Sequence, residues 1–160
     1  VDLAGAPYPR NGTPPLHFRA LATPGLGPLL AHTIGFPFGR SGVVAGLNLA
    51  FEPEGTPPPD YLEAYMALVL RPGQLQALAQ DTVRSDAAVR KRVEGYSTME
   101  VPLVVVHGTE DRNVAVGQSR RLAEEAPDAT LVEIPGAGHE LMFWHPDEVM
   151  AAIDRLVDEH

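Results

Sequence analysis

The sequence predicts an α/β fold in which a helical segment is inserted ahead of the last two strands of a parallel sheet. Two short apolar runs rich in β-branched residues, 102–106 and 131–134, each lead into a glycine-containing turn. Strands buried on both faces of a parallel sheet read as continuous apolar runs of this kind. The residues before 101 show short helical patterns interrupted by proline and glycine instead. Strand–helix–strand–helix order after an irregular helical stretch favours an α/β core with an insertion.

Three regions follow from this pattern. Residues 1–15 are predicted to form a strand and an entry loop, because Val1 and Leu3 precede a stretch rich in proline and glycine. Residues 16–100 are predicted to form a helical cap. Residues 101–160 are predicted to form the C-terminal part of the core, which carries the candidate functional residues.

Within the predicted cap, proline and glycine set the expected helix ends. Short helices over residues 16–49 should break at residues 24–25, 27–28, 36–37 and 39. A proline-rich connector leads to a helix over 61–70 with Asp60 as its N-cap, and a second helix covers 74–93.

The predicted core alternates between strands and helices. We expect strands at 102–106 and 131–134, and helices at 116–126 and 146–159. The last helix starts with Pro146 and has acidic residues in its first turn, both favourable at a helix N-terminus. Its core-facing stripe is predicted to be Val149, Ala152, Ile153, Leu156 and Val157.

Composition excludes several classes of function. The net charge of −9 disfavours a nucleic-acid partner, which would require a basic face. The chain has no cysteine, which excludes disulfides, thiolate metal sites and a cysteine nucleophile. Its longest apolar stretch, residues 43–51, is far shorter than the roughly 20 residues needed to span a bilayer, so we expect no membrane partner. With no export signal visible, cytoplasmic localisation is the default expectation.

Asp111 and His139 are the candidate catalytic residues. Each lies in the turn that follows one of the two predicted core strands. Parallel strands present such turns at one edge of the sheet, where open α/β sheets carry their sites. A carboxylate that orients a histidine lets the imidazole act as a general base, which is half of the machinery of nucleophilic catalysis.

These turns resemble those of α/β-hydrolase-fold enzymes. The string H-G-T-E-D-R-N-V at 107–114 and the string P-G-A-G-H-E at 135–140, in this order, are similar to the acid and histidine turns of the C-terminal half of that family. The resemblance implies that Asp111 is the acid and His139 the base. It also implies a parallel hydrolase sheet with an inserted cap.

The sequence departs from the family at the nucleophile. The G-x-S-x-G elbow is absent, and G-R-S-G at 39–42 and G-Y-S at 95–97 lack its closing glycine. We therefore expect an N-terminal half of the same enzyme as a partner, either as a separate chain or as a swapped copy. Without it, three strands would leave a long apolar edge exposed.

Other residues offer alternatives to this assignment. Glu110 could replace Asp111 as the acid, and Asp2 lies after the first strand, where some family members carry theirs. His107 ends a buried strand and is expected to be a packed, hydrogen-bonded histidine, while Glu140 is expected to support the site or face solvent. No spacing resembles a metal site, and no cofactor is expected.

Apolar residues suggest the kind of substrate. Leu141 and Trp144 follow His139 closely and are predicted to border the site, and Tyr65 of the cap is predicted to line a substrate pocket. Such surroundings favour a small, partly apolar molecule.

Three functions agree with these observations. The first is a serine-type hydrolase acting on an ester, amide or C–C bond. The second keeps the fold but uses an aspartate nucleophile, as epoxide hydrolases and haloalkane dehalogenases of this family do; Tyr61, Tyr65 and Tyr96 would then serve an epoxide oxygen. The third is a non-catalytic ligand-binding or interaction module. On any of these readings the chain by itself should show no turnover.

Overall fold

A computed structural model describes residues 1–10, 12–33 and 35–158, without the side chains of residues 36–38. Its strands are β1 (Asp2–Leu3), β2 (Leu103–Gly108) and β3 (Ala129–Ile134). Its α-helices are α1 (Leu16–Ala22), α2 (Leu26–Thr33), α3 (Gly35–Phe51), α4 (Pro59–Val69), α5 (Pro72–Val93), α6 (Gly117–Glu125), α7 (Leu141–Trp144) and α8 (Pro146–Asp158), and a 3-10 turn covers Tyr96–Thr98.

The described residues divide into two compact units. The first, here called the sheet unit, comprises Val1–Tyr8, Asn48–Thr56 and the chain from Arg90 onward. The second, here called the helical unit, comprises Pro9–Leu47 and Pro57–Val89. Residues 48–56 thus belong to the sheet unit although they lie inside the region predicted as cap. The predicted domain boundaries stay a prediction.

The sheet unit confirms the predicted parallel α/β fold. Its strands are ordered β1-β2-β3 and all pair in parallel. Asp2 lies opposite Val105, and Leu103 lies opposite Ala129. The predicted strands are therefore present, each within a few residues of the expected bounds.

β2 is buried on both faces, which explains its continuous apolar run. Val104 and Val106 pack with Val149 of α8 in one hydrophobic cluster. Val105, between them, packs with Leu122 of α6 in a second cluster. Because successive side chains of a strand point to opposite faces, consecutive apolar residues at 103–106 are needed to fill both clusters.

Helix α8 follows the predicted amphipathic pattern with one exception. Val149 and Ala152 are buried, and Ile153 and Leu156 pack against the same cluster. The prediction was wrong for Val157, which is 69% exposed. It lies in the last turn of the helix, beyond the edge of the apolar stripe.

Three predicted helix breaks were wrong. Pro28 lies in the first turn of α2, and α3 continues through Pro37 and Gly39. The first-turn N–H groups of a helix have no partner within the helix, so proline costs no hydrogen bond there. The predicted start of α4 was also wrong. The helix begins at Pro59 with Pro58 as its N-cap, and Asp60, which was predicted as the N-cap, lies in the first turn. None of the helices in the described ranges is long and apolar enough to cross a membrane.

Candidate active site

Two adjacent turns at one edge of the sheet hold the candidate catalytic pair. β2 and β3 are neighbours, and their last residues, Gly108 and Ile134, lie opposite each other. Beyond them the turns are joined by backbone hydrogen bonds, from Thr109 N–H to the Ile134 carbonyl at 3.1 Å and from Glu110 N–H to the Ala137 carbonyl at 2.9 Å. Asp111 comes one residue after Glu110, and His139 comes two residues after Ala137. The paired turns therefore place these two side chains next to each other.

Glycine is required where the turns cross. A Cβ added at Gly108 would lie 2.3 Å from the carbonyl oxygens of Ala137 and Gly138, so only glycine allows this approach. Gly136 has φ +78°, a left-handed conformation that glycine adopts without strain. The glycines in both sequence motifs thus have a direct structural reason.

The side chain of Asp111 is buried, accepts three hydrogen bonds and lies close to the ring of His107. Its Oδ1 accepts the backbone N–H groups of Asn113 at 2.7 Å and Val114 at 2.9 Å. Its Oδ2 lies 2.8 Å from Nδ1 of His139 and 3.1 Å from Nε2 of His107. Burial raises the pKa of the Asp111 carboxyl, but hydrogen bonds from His107, His139 and Val114 outweigh it and hold the pKa well below its usual range. Asp111 is therefore an ionised, fixed acceptor.

His139 is oriented by that carboxylate while part of its ring stays accessible. Its side chain is 27% exposed, whereas that of Asp111 is 0% exposed. The hydrogen bond to Asp111 raises the pKa of His139, and burial opposes this. Because an ionised Asp111 can only accept, Nδ1 of His139 carries the proton, and Nε2 is left as the nitrogen that can take a proton from a nucleophile.

His107 is a buried, hydrogen-bonded histidine, as expected. Its Nδ1 lies 2.7 Å from Oγ of Ser119, and its Nε2 lies 2.9 Å from the Val114 carbonyl. Nε2 faces two acceptors, Val114 and Asp111, so it carries the proton, and Ser119 donates its hydroxyl proton to Nδ1. Ser119 has no exposed surface, and its role was missed in the sequence, where a serine inside a helical pattern gives no signal.

The predicted substrate-contacting residues lie in different surroundings. Leu141 is 2% exposed and packs in the hydrophobic cluster below the turn, so we do not propose it as a substrate contact. Trp144 is 43% exposed, and its ring packs edge-on against Phe51 with centroids 6.4 Å apart. Tyr65 is 39% exposed in the helical unit, with its ring 6.0 Å from that of Tyr61.

The alternative acids are placed differently from Asp111. The side chain of Glu110 is exposed, and Asp2 lies in β1, where one of its carboxylate oxygens is buried without a hydrogen-bond partner among the described residues. Burial raises the pKa of Asp2. Glu140 occupies the N-cap position of α7 without a side-chain capping bond. In the part of the chain that is described, no group of three or more His, Asp or Glu side chains could hold a metal ion.

The helical unit contains a cavity of about 470 Å³. It is lined by Arg40, Pro59, Leu62, Glu63, Met66, Ala67 and Leu70. This volume is within the range of small-molecule pockets, and the lining is mostly apolar. Tyr65, predicted from the sequence as a pocket residue, is not among these residues.

Comparisons with known proteins agree with the parallel α/β fold. The sequence model of the Alpha/beta hydrolase family matches residues 2–152. Among solved structures, an alpha/beta hydrolase fold protein from Burkholderia ambifaria is 21% identical with a TM-score of 0.64, over 91% of this chain and 52% of that protein. A thermophilic esterase from Thermogutta terrifontis is 18% identical with a TM-score of 0.65, over 98% and 54%. A serine hydrolase involved in carbazole degradation is 18% identical with a TM-score of 0.60, over 80% and 50%. The chain thus spans about half the length of these proteins, and the likeness shows the fold.

Proposed function

The chain belongs to the alpha/beta hydrolase family, and from this premise we propose that it supplies the acid and the base of a serine-type hydrolase. The bond that is cleaved is an ester, amide or carbon–carbon bond of a small, partly apolar substrate. The observation that carries the proposal is the contact between a buried, ionised Asp111 and a partly exposed His139 at the carboxyl edge of the sheet.

The geometry supports a two-step reaction. Nε2 of His139 takes the proton of a serine hydroxyl as the oxygen attacks the substrate, and then returns it to the leaving group. The resulting acyl-enzyme is hydrolysed by water, which His139 deprotonates in the same way. Asp111 holds the Nδ1–H tautomer and stabilises the imidazolium that forms in each step.

The nucleophile and the oxyanion donors are proposed to come from an N-terminal half of the same enzyme, as a separate chain or a swapped copy. The chain's coverage of about half of its structural neighbours supports this. One carboxylate oxygen of Asp2 is buried without a partner among the described residues, which supports it as well, because such a buried acceptor costs about 1–3 kcal/mol. The isolated chain should bind a hydrophobic dye and melt without cooperativity; a sharp melt of a monomer would contradict this proposal.

Fluorophosphonate labelling of the complete enzyme tests the proposal. The wild type should be labelled on a serine outside residues 1–160, and His139→Ala should lose labelling because the serine is no longer deprotonated. His32→Ala, which changes an exposed histidine of the helical unit, serves as the matched control and should label like the wild type. Equal labelling of His139→Ala and wild type would overturn the assignment of the base.

A second candidate keeps Asp111 and His139 but uses an aspartate nucleophile, as in epoxide hydrolases and haloalkane dehalogenases. It would need phenols that donate to an epoxide oxygen, and the chain has tyrosines at 61, 65 and 96. Fluorophosphonate would then leave the wild type unlabelled, whereas a covalent ester on an aspartate would accumulate in His139→Ala. A non-catalytic module would give neither adduct, and the intact acid–histidine pair disfavours it.

A further inference from the structure

The connector at residues 51–55 lies directly against the histidine turn within the sheet unit. Its start is anchored by Phe51, which has no exposed surface and packs against Phe143 with ring centroids 4.9 Å apart. Its end is covered by Trp144, because a Cβ added at Gly55 would lie 2.8 Å from that ring. The connector is therefore fixed at both ends by α7, the short helix that follows His139.

The backbone of the connector touches the residue before the candidate base. A Cβ added at Gly138 would lie 2.1 Å from the carbonyl oxygen of Glu52, so the two backbones are in close contact. Only a glycine preceding His139 permits this contact. The side chain of Glu52 also pairs with Arg112, the residue after Asp111, although this pair is exposed and contributes little.

Glu54 makes the polar contacts of the connector. Its Oε2 accepts the backbone N–H of Gly138 at 2.8 Å, and its Oε1 accepts a hydrogen bond from Nε2 of His145. Its side chain is 17% exposed. One carboxylate thus joins the residue before His139 to the residue directly after α7, so it contacts the chain on both sides of His139.

We propose that Glu54 is a positioning residue that fixes the backbone of His139, so that the ring keeps its hydrogen bond to Asp111 and its aim at the nucleophile. This inference rests on the proposed function. It requires a side chain of the length of glutamate, because one end group must reach both the Gly138 N–H and Nε2 of His145 at once. It does not require the negative charge at the histidine turn, because the Gly138 N–H that Glu54 holds there is neutral.

Length and charge are separated by two variants of the complete enzyme. In Glu54→Gln the amide oxygen can still accept the Gly138 N–H, while the amide N–H donates to Nε2 of His145, whose Nδ1–H then faces Glu148. For this variant kcat should stay within about twofold of the wild type. In Glu54→Asp the side chain is one methylene shorter, and kcat should fall about tenfold or more with KM unchanged, since small misplacements of catalytic groups cost up to about 100-fold. Glu94→Ala, an exposed glutamate of the sheet unit, is the matched control.

The Nδ1–H proton resonance of His139 provides a readout independent of turnover. It should persist in the wild type, Glu54→Gln and Glu94→Ala, and broaden or vanish in the folded Glu54→Asp protein. If Glu54→Asp matches the wild type in both readouts, or Glu54→Gln loses activity while Glu54→Asp keeps it, the inference is overturned. The proposed function would instead be refuted if the wild type shows the resonance but neither reacts with fluorophosphonate nor turns over substrate. The positioning role of Glu54 would then be judged by the resonance alone.

Discussion

The buried pair His107–Ser119 provides the sharpest test of the site's hydrogen-bond network. Ser119→Ala removes the hydroxyl that lies 2.7 Å from Nδ1 of His107 and leaves that nitrogen buried without a partner. His107→Phe removes the ring nitrogens and leaves the hydroxyl of Ser119 buried without a partner. Ser119→Ala should lower the free energy of unfolding by about 1–3 kcal/mol, the cost of one unsatisfied buried polar group. His107→Phe should lower it further, because the Val114 carbonyl and Asp111 also lose their contact with Nε2 of His107.

The double variant separates this network from simple loss of packing. With both polar groups removed, neither member of the pair is left buried without a partner. The double variant should therefore lower the free energy of unfolding by about as much as the larger single change. The two effects would then couple by about 1–3 kcal/mol. Urea unfolding of the complete enzyme, followed by circular dichroism with constant m-values, measures all three. Ser97→Ala, at an exposed serine, should stay within about 0.5 kcal/mol of the wild type. A double variant whose cost equals the sum of the singles would refute the proposed pairing.

Three further predictions concern the base, its pH dependence and the core. Asp111→Asn should lower kcat by roughly 10³- to 10⁴-fold, because the amide no longer fixes the Nδ1–H tautomer; since Asp111 raises the pKa of His139, the acidic limb of kcat/KM should also move to lower pH. The stability that protonated His139 contributes is fully present below its unfolded pKa of 6.5 and is lost as pH rises through the higher folded value, so His139→Gln should flatten the pH–stability curve there. Val149→Ala should lower the free energy of unfolding by about 1–3 kcal/mol, whereas Val157→Ala should change it by less than about 0.5, as judged by chemical denaturation.

The sheet and its two turns could be predicted because their signals are local. A strand buried on both faces needs apolar residues at every position, and β2 shows such a run from Leu103 to Val106. Gly108 and Gly138, in the turns that follow the strands, are required by close backbone contacts. Because only glycine fits there, these positions can be recognised in the sequence as well. The helix ends were harder to predict, because proline breaks a helix in its interior but costs no hydrogen bond in the first turn. Pro28 and Pro37 both lie in first turns.

Residues 48–56 could not be assigned to the sheet unit from the sequence. They join the end of α3 to a proline-rich stretch and follow no periodic pattern, so their neighbours in sequence suggest a cap. Their place is set by Phe51, which is buried, and by Glu54, which binds a backbone N–H 84 residues away. Contacts at that separation leave no mark in a window of ten or twenty residues.

The two halves of the candidate site therefore differ in how they are encoded. Most of the partners of Asp111 lie within four residues of it: the N–H groups of Asn113 and Val114, and the ring of His107. The acid turn can thus form its hydrogen bonds from its own segment, and a short motif is enough to identify it. His139 depends on Asp111, 28 residues away, and its turn depends on Glu54, 84 residues away from Gly138. Since distant contacts carry a loop-closure cost that local ones avoid, we expect the histidine turn to be the part of the site most sensitive to changes elsewhere in the chain.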